Sequence, residues 1–279
     1  MFVRKNTFNC APKKHGEERD DLNTFLYIIG AIATIVILLI VGLISASKRT
    51  EKQNKKTRLA MEMANPLPKE KQHLLAYGAN LSLYRSESPQ ILAVKVDKET
   101  LREGLSSAWD VRNREEAIQV LEWLLIEGHR PDYDQLLMAL KAGQFFTEEE
   151  IGKSQECYES AQVALMKKLS FTKSDFDRVN TIAAWDLDRA VNIARWSYIL
   201  GYISEEEAWG YIERAADAAS NVFQSWKDYF ISFAFGRALA YEGDIYDILW
   251  NGKELLGEKD SVWNEFNIKQ PKLEANNLA

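Results

Sequence analysis

Residues Ala184–Tyr211, AWDLDRAVNIARWSYILGYISEEEAWGY, decide the fold. In the first half, Trp185, Arg189, Ile193, Trp196 and Leu200 recur at helical spacing, so charged side chains ride on a helix among aromatics. Gly201 then stands where a left-handed residue ends a helix. Ser204 followed by Glu207 has the spacing of a capping box, which opens the next one. Three acids at 205–207 look like a metal cluster, but in a first helical turn they complement the macrodipole, and that reading is preferred.

The same punctuation recurs on either side. Asn113 and Glu116 form a capping box before Ile118, Leu121, Leu124 and Leu125, which share a face, and Gly128 is placed as the stop. A short helix is expected over Asp132–Ala142, another helix from Thr147, and one long helix from Thr172 or Ser174 to Leu200. Two more are expected over Ser220–Glu242 and Asp244–Leu256. Upstream, HLLAYGANLSLYR (73–85) reads as a short helix, and the apolar run Ile91–Val96 as an irregular lead into a helix near Asp97, because no second strand is offered to it. No alternating pattern is sustained from Asn113 to Leu256. The expected fold is all-α, a compact multi-helix domain over 73–268 with a flexible tail at 269–279.

Before that domain, Phe25–Ala46 runs without a charge for about 22 residues, enough at about 1.5 Å each to cross a hydrocarbon core of roughly 30 Å. The sequence therefore predicts a tail at 1–23, a single transmembrane helix at 24–47 and a basic juxtamembrane segment and linker at 48–72, broken by Asn65-Pro-Leu-Pro68. A cleaved signal peptide fits less well, since the run is too long for one. Basic residues flank both ends in near-equal number; the closer cluster, Lys48 to Arg58, and the absence of a cysteine pair from the large domain favour a cytoplasmic C-terminal part. Gly30 and Thr34 have the small-xxx-small spacing of helix association, so a homo-oligomer is one expectation.

Charge is divided unevenly. Up to Ala60 the chain has 11 basic and 5 acidic residues, and beyond it 24 and 36, so a +6 segment precedes a -12 domain. A domain of that sign without a basic run repels phosphate backbones, which argues against nucleic acid. With two cysteines and three histidines, a Cys/His metal site is close to excluded, and nothing points to a cofactor.

Three segments combine tryptophan with charge: Trp109-Asp-Val with Glu122-Trp-Leu-Leu and Gly128-His-Arg130; Trp185-Asp-Leu-Asp-Arg189 with Gly201-Tyr-Ile; and Ser225-Trp226 with Gly236-Arg237. As an ordered set over Trp109 to Gly243 they resemble the bacterial family known as domain of unknown function 1266. The resemblance implies the fold unit and carries no catalytic residues; taken with the expected span over Phe25–Ala46, it makes a bacterial inner membrane the expected setting.

The candidate ligand-binding or buried polar residues are His129, Arg130, Asp186, Asp188, Arg189 and Arg237, with Trp109, Trp123, Trp185, Trp196 and Trp226 as an aromatic frame. Asp186 and Arg189, three apart, can pair on one helix face, and a guanidinium stacked on indole is readily buried. One reading makes these groups a satisfied network that fixes helix packing. The other makes them a pocket, with His129 as general acid or base, Asp186 or Asp188 as its carboxylate, and Arg189 and Arg237 as anion clamps. The absence of a nucleophile elbow or a Gly-rich loop favours a binding module, one that neutralises or scaffolds a basic protein partner or holds a small anion, over a hydrolase or transferase.

Overall fold

The computed structural model describes residues 15–143 and 148–269, and their side chains except at 15–31, 33, 34, 44 and 148–151. Its helices are α1 (His15–Ala64), α2 (Lys69–Leu75), a 3-10 turn (Ala76–Gly78), α3 (Ala79–Tyr84), α4 (Lys98–Trp109), α5 (Arg114–Ile126), α6 (Arg130–Lys141) and α7 (Glu148–Leu169). They continue as α8 (Lys173–Asp177), α9 (Ala183–Leu200), α10 (Glu205–Val222), α11 (Trp226–Ala240), α12 (Leu249–Gly257) and α13 (Val262–Glu265). Among the described residues there is no strand, so the expected all-α class holds.

The chain divides into two units, Met1–Lys56 and Thr57–Ala279. In the first, α1 carries large apolar side chains that are exposed at Ile32, at every position from Ile35 to Val41, and at Leu43. Among the described residues no helix is long and apolar enough to cross a membrane. The expected span over Phe25–Ala46 is thus without support there, and positions 25–31, 33, 34 and 44 of it lie outside the described side chains. The N-terminal tail to residue 14, Cys10, the cap at Thr147 and the tail from 270 also lie outside the described residues.

The second unit is built around α9. Every residue from Ala183 to Ser197 is buried, because α3, α4, α5, α10 and α11 all pack on this one helix. Leu187, Val191 and Ile193 are fully buried, each worth roughly 1.5–3 kcal/mol of transfer free energy. Close approach is secured by small residues. A Cβ at Gly78 would lie 2.5 Å from Val191 Cγ1, and one at Gly236 would lie 2.7 Å from Trp185 Cγ, so the 3-10 turn and α11 reach α9 only as glycine.

Several helix ends follow the expected chemistry. Asp97, Asn113 and Ser204 accept N–H bonds at the starts of α4, α5 and α10, and Ser204 with Glu207 completes the capping box. Gly201, at φ +79°, closes α9, with Tyr202 N–H donating to Ser197 O at 2.9 Å.

Four expected helices depart from the sequence pattern. The long helix from Thr172 to Leu200 is interrupted between α8 and α9, and α6 supplies the reason. Lys141 Nζ donates to the carbonyls of Phe176, Asp177 and Val179 at 3.0–3.1 Å, while Asp134 Oδ1 accepts Ile182 N–H at 2.6 Å. Groups freed by the break are thus satisfied by side chains of another helix. The helix expected over Ser220–Glu242 is instead the end of α10 and the whole of α11, because Ser225 caps a new start by accepting Asp228 N–H at 3.1 Å. Finally, α12 begins only at Leu249, after a turn in which Asp244 accepts Tyr246 N–H at 3.1 Å. The segment 73–85 also folds as three short pieces rather than one helix.

Candidate functional site

Asp186, on the first turn of α9, is fully buried and meets three partners. Its Oδ2 accepts His129 backbone N–H at 2.9 Å, and its Oδ1 lies 3.0 Å from His129 Nδ1 and 2.8 Å from Arg189 Nη2. Arg189 Nη2 is also 2.8 Å from His129 Nδ1. The ring nitrogen therefore stands at the junction of carboxylate and guanidinium, donating to the one or accepting from the other according to its tautomer.

This arrangement accounts for Gly128-His-Arg130 residue by residue. Gly128 leaves α5 at φ +62°, and a Cβ there would sit 2.5 Å from Asp186 Cγ, so both conformation and space demand glycine. Arg130 turns back to cap α5, donating to Leu124 O, Leu125 O and Glu127 O at 3.0–3.1 Å. It approaches Asp186 Oδ2 only at 3.8 Å, so its main work is to satisfy carbonyls at a helix end.

Arg189 is the most buried of the candidate arginines. Its Nε donates to Trp185 O at 2.8 Å, and its guanidinium carbon lies 4.2 Å from the centre of the Trp185 ring and 5.1 Å from that of Trp109. Burial lowers its pKa to about 10, with Asp186 pulling the other way. Nη1 has no hydrogen-bond partner among the described residues.

Two cavities meet at this sandwich. One, of about 360 Å³, is lined by Arg85, Arg189 and Arg237 among Trp, Tyr, Phe and Leu side chains from α3, α4, α9, α11 and the residues next to them, with no acid among the described lining residues. The other, of about 380 Å³, lies on the far side and is lined by Trp123, His129, Tyr133 and Asp110. Trp109, Trp185, Arg189 and Tyr241 border both. Each arginine of the first cavity is held by an acid outside it: Arg189 by Asp186, Arg85 by Glu87 at 3.4 Å, and Arg237 by Asp247. Each also stacks on aromatics, Arg85 on Trp196 at 4.7 Å and Arg237 on Tyr84 and Tyr241 at 5.4 and 4.7 Å. One face of each of these rings thus carries a guanidinium, and an entering ligand meets N–H edges of arginine together with ring edges.

The structure places the other candidates as follows. Trp109, Trp123 and Trp185 frame the His129–Arg189 region, Trp123 lying edge-on to the His129 ring at 4.8 Å. Trp196 borders the first cavity at its Arg85 side, its Nε1 donating to Glu87 Oε2 at 3.1 Å. Trp226 is elsewhere, stacked on Trp263 at 5.0 Å with its Nε1 bonded to Phe266 O. Asp188 faces away from both cavities. It acts as a remote cap for α3, accepting Asn80 N–H at 3.0 Å and Leu81 N–H at 3.1 Å. Complete burial pushes its carboxyl up to about 7 against the pull of those donors.

Reasoning from sequence missed Tyr84, Arg85 and Tyr241 of the first cavity, and a second buried network beneath it. There Arg195 donates to Ser82 Oγ at 2.6 Å, Asn192 Oδ1 at 3.0 Å and Ser88 O at 2.9 Å, with Glu87 Oε2 at 3.7 Å. The signal was present, since Asp188, Asn192 and Arg195 are four and three apart and form one polar stripe on a buried helix.

No curated protein and no solved structure matches the chain. Residues 104–268 match a family described as "Protein of unknown function (DUF1266)", and they include α5, the Gly128-His-Arg130 turn, α9 and the Gly236-Arg237 step. The match covers more than half of the sequence, and the chain belongs to that family.

Proposed function

We propose that the second unit is a binding module for a small anion, carried by a protein tethered to the inner membrane of a bacterium with this unit in the cytoplasm. The observation that carries the reading is the first cavity, which receives three guanidiniums and no carboxylate inside a domain of net charge -12. Each guanidinium is paired with an acid on its outer side and presents its remaining N–H edge to the cavity, where an anion can accept charge-assisted hydrogen bonds. The tether rests on the exposed apolar side chains of α1 at Ile32, from Ile35 to Val41 and at Leu43, and on the basic residues that follow them. The acidic exterior also suits a basic protein partner, which would meet the surface rather than this cavity.

The test is thermal unfolding of the full-length protein in lipid nanodiscs against a panel of small carboxylates, phosphates and amines. Anions at about one hundred times Kd should stabilise by roughly 2.7 kcal/mol, and amines should not. Arg237→Gln should remove the response at little cost to the empty protein, because Asp247, whose side chain is 35% exposed, is solvated without its partner. The reading fails if no anion raises the midpoint, or if Arg237→Gln responds like the parent.

A second reading has its own observation. His129, held at Nδ1 beside Asp186, lines the neighbouring cavity, an arrangement suited to proton transfer by a hydrolase or transferase. Arg189 competes for the same nitrogen, which ties His129 into the ion-pair network and favours the binding reading.

A further inference from the structure

Resting on the anion-binding reading, we infer that the ligand of the first cavity is an amphiphilic oxyanion: one carboxylate or phosphate group carried on a compact apolar or aryl body. The cavity has two chemically distinct parts. Its polar part is graded in depth, with Arg85 and Arg237 side chains 34% and 18% exposed and Arg189 only 7% exposed. Tyr84 and Tyr241, both exposed, stand beside Arg237 and mark the mouth. An anion entering there passes two guanidiniums and ends at the third, clamped between Trp109 and Trp185.

The donors available at that inner end are the N–H groups of the Arg189 guanidinium, which an oxygen of a bound carboxylate or phosphate can engage. A cation or a neutral hydrocarbon supplies no such oxygen.

The rest of the lining cannot be satisfied by an inorganic ion. Leu101, Leu105, Phe233 and Ile248 present apolar surface opposite the arginines, and the volume of about 360 Å³ is that of a small organic ligand rather than of phosphate alone. One face of each of Trp185, Trp196, Tyr84 and Tyr241 already carries a guanidinium, so the ligand's body packs mainly on the aliphatic side chains and on Phe233. Gly104 of α4 also lines this part, and a Cβ built on it meets nothing within 4 Å. A larger side chain there would project into free space.

The test is titration calorimetry on the full-length protein in nanodiscs, with phenyl phosphate, hexyl phosphate, inorganic phosphate, benzyl alcohol and benzylamine as probes. Phenyl or hexyl phosphate should bind at least tenfold more tightly than inorganic phosphate and than benzyl alcohol, and benzylamine should not bind. Preference for hexyl phosphate would assign the body to an acyl chain of membrane origin, and preference for phenyl phosphate to a soluble aryl acid. Gly104→Leu should abolish the tenfold advantage, leave inorganic phosphate binding unchanged, and leave the unfolding midpoint of the empty protein equal or higher. Equal binding of inorganic and organic phosphates, or full retention of the advantage in Gly104→Leu, would overturn the amphiphile while leaving an anion site. Benzyl alcohol equal to phenyl phosphate, or no binding by any probe, would overturn both.

Discussion

Replacing Gly128 by alanine tests whether the turn after α5 is glycine for its backbone alone or for the carboxylate lying against it. At φ +62° any L side chain costs about 1–2 kcal/mol, and Gly201, at φ +79°, should show that cost by itself, since a Cβ there meets nothing within 4 Å. At Gly128 the new methyl would be 2.5 Å from Asp186 Cγ, and the buried helix α9 cannot retreat. Asp186 must swing away from His129 N–H, losing a charged hydrogen bond of about 1.5–3 kcal/mol and leaving a buried carboxylate with fewer partners. The expectation is about 4 kcal/mol for Gly128→Ala against about 1 kcal/mol for Gly201→Ala. For a domain of this length that corresponds to roughly 8–16 °C against 2–4 °C in Tm. Urea unfolding with unchanged m-values gives the comparison directly. Asparagine sharpens it, because it tolerates left-handed backbone and should nearly restore position 201 but not 128. If the two alanine variants differ by less than about 1 kcal/mol, the steric account of the Gly128–Asp186 contact is wrong.

Two further outcomes follow from the buried polar groups. Asp188 has its carboxyl raised by burial to about 7, so the folded state holds the proton more tightly than the unfolded chain. Its contribution is therefore fully present below the unfolded value of about 4 and is lost as pH rises towards 7; the rise in Tm on acidifying from pH 7.5 to 5 should disappear in Asp188→Asn, whatever that variant's absolute stability. Lys141→Met should cost about 2 kcal/mol, since the carbonyls of Asp177 and Val179 lose the Lys141 ammonium as donor, and amide exchange should accelerate first across 176–182.

Local signals were legible in the sequence where they act within about four residues. Ser204 with Glu207, Asn113 with Glu116, the stops at Gly128 and Gly201, and the pairing of Asp186 with Arg189 all depend on neighbours along one helix. What was not legible depends on partners far along the chain. The break between α8 and α9 is invisible in their own periodicity because Lys141 and Asp134 of α6 hold it open. Asp188 looked like a site residue because only the fold brings Asn80 and Leu81 to it across more than 100 positions. The first cavity was half legible for the same reason. Arg189 and Arg237 stand among aromatics in sequence, whereas Arg85 and Tyr84 come from a segment whose polar groups are satisfied only once it lies on α9.

A satisfied network and a binding site at the same residues are not competing descriptions. A free arginine loses on the order of 2 kcal/mol of rotamer freedom when a ligand fixes it. Here Asp186 and the Trp185 carbonyl hold Arg189, Asp247 holds Arg237, and Glu87 holds Arg85, each while its guanidinium lines the cavity. The ordering cost is met when the domain folds, so an anion that enters gains charge-assisted bonds without repaying it. The same pairing sets a limit on affinity, because every guanidinium is already partly neutralised from behind. This arrangement suits reversible sensing or carriage of a ligand better than its sequestration. Asp247→Asn provides the check: releasing Arg237 from its carboxylate should leave more charge for the ligand and less order in the side chain. If preorganisation governs, the variant binds phenyl phosphate more weakly than the parent; tighter binding would show that charge, and not geometry, limits the site.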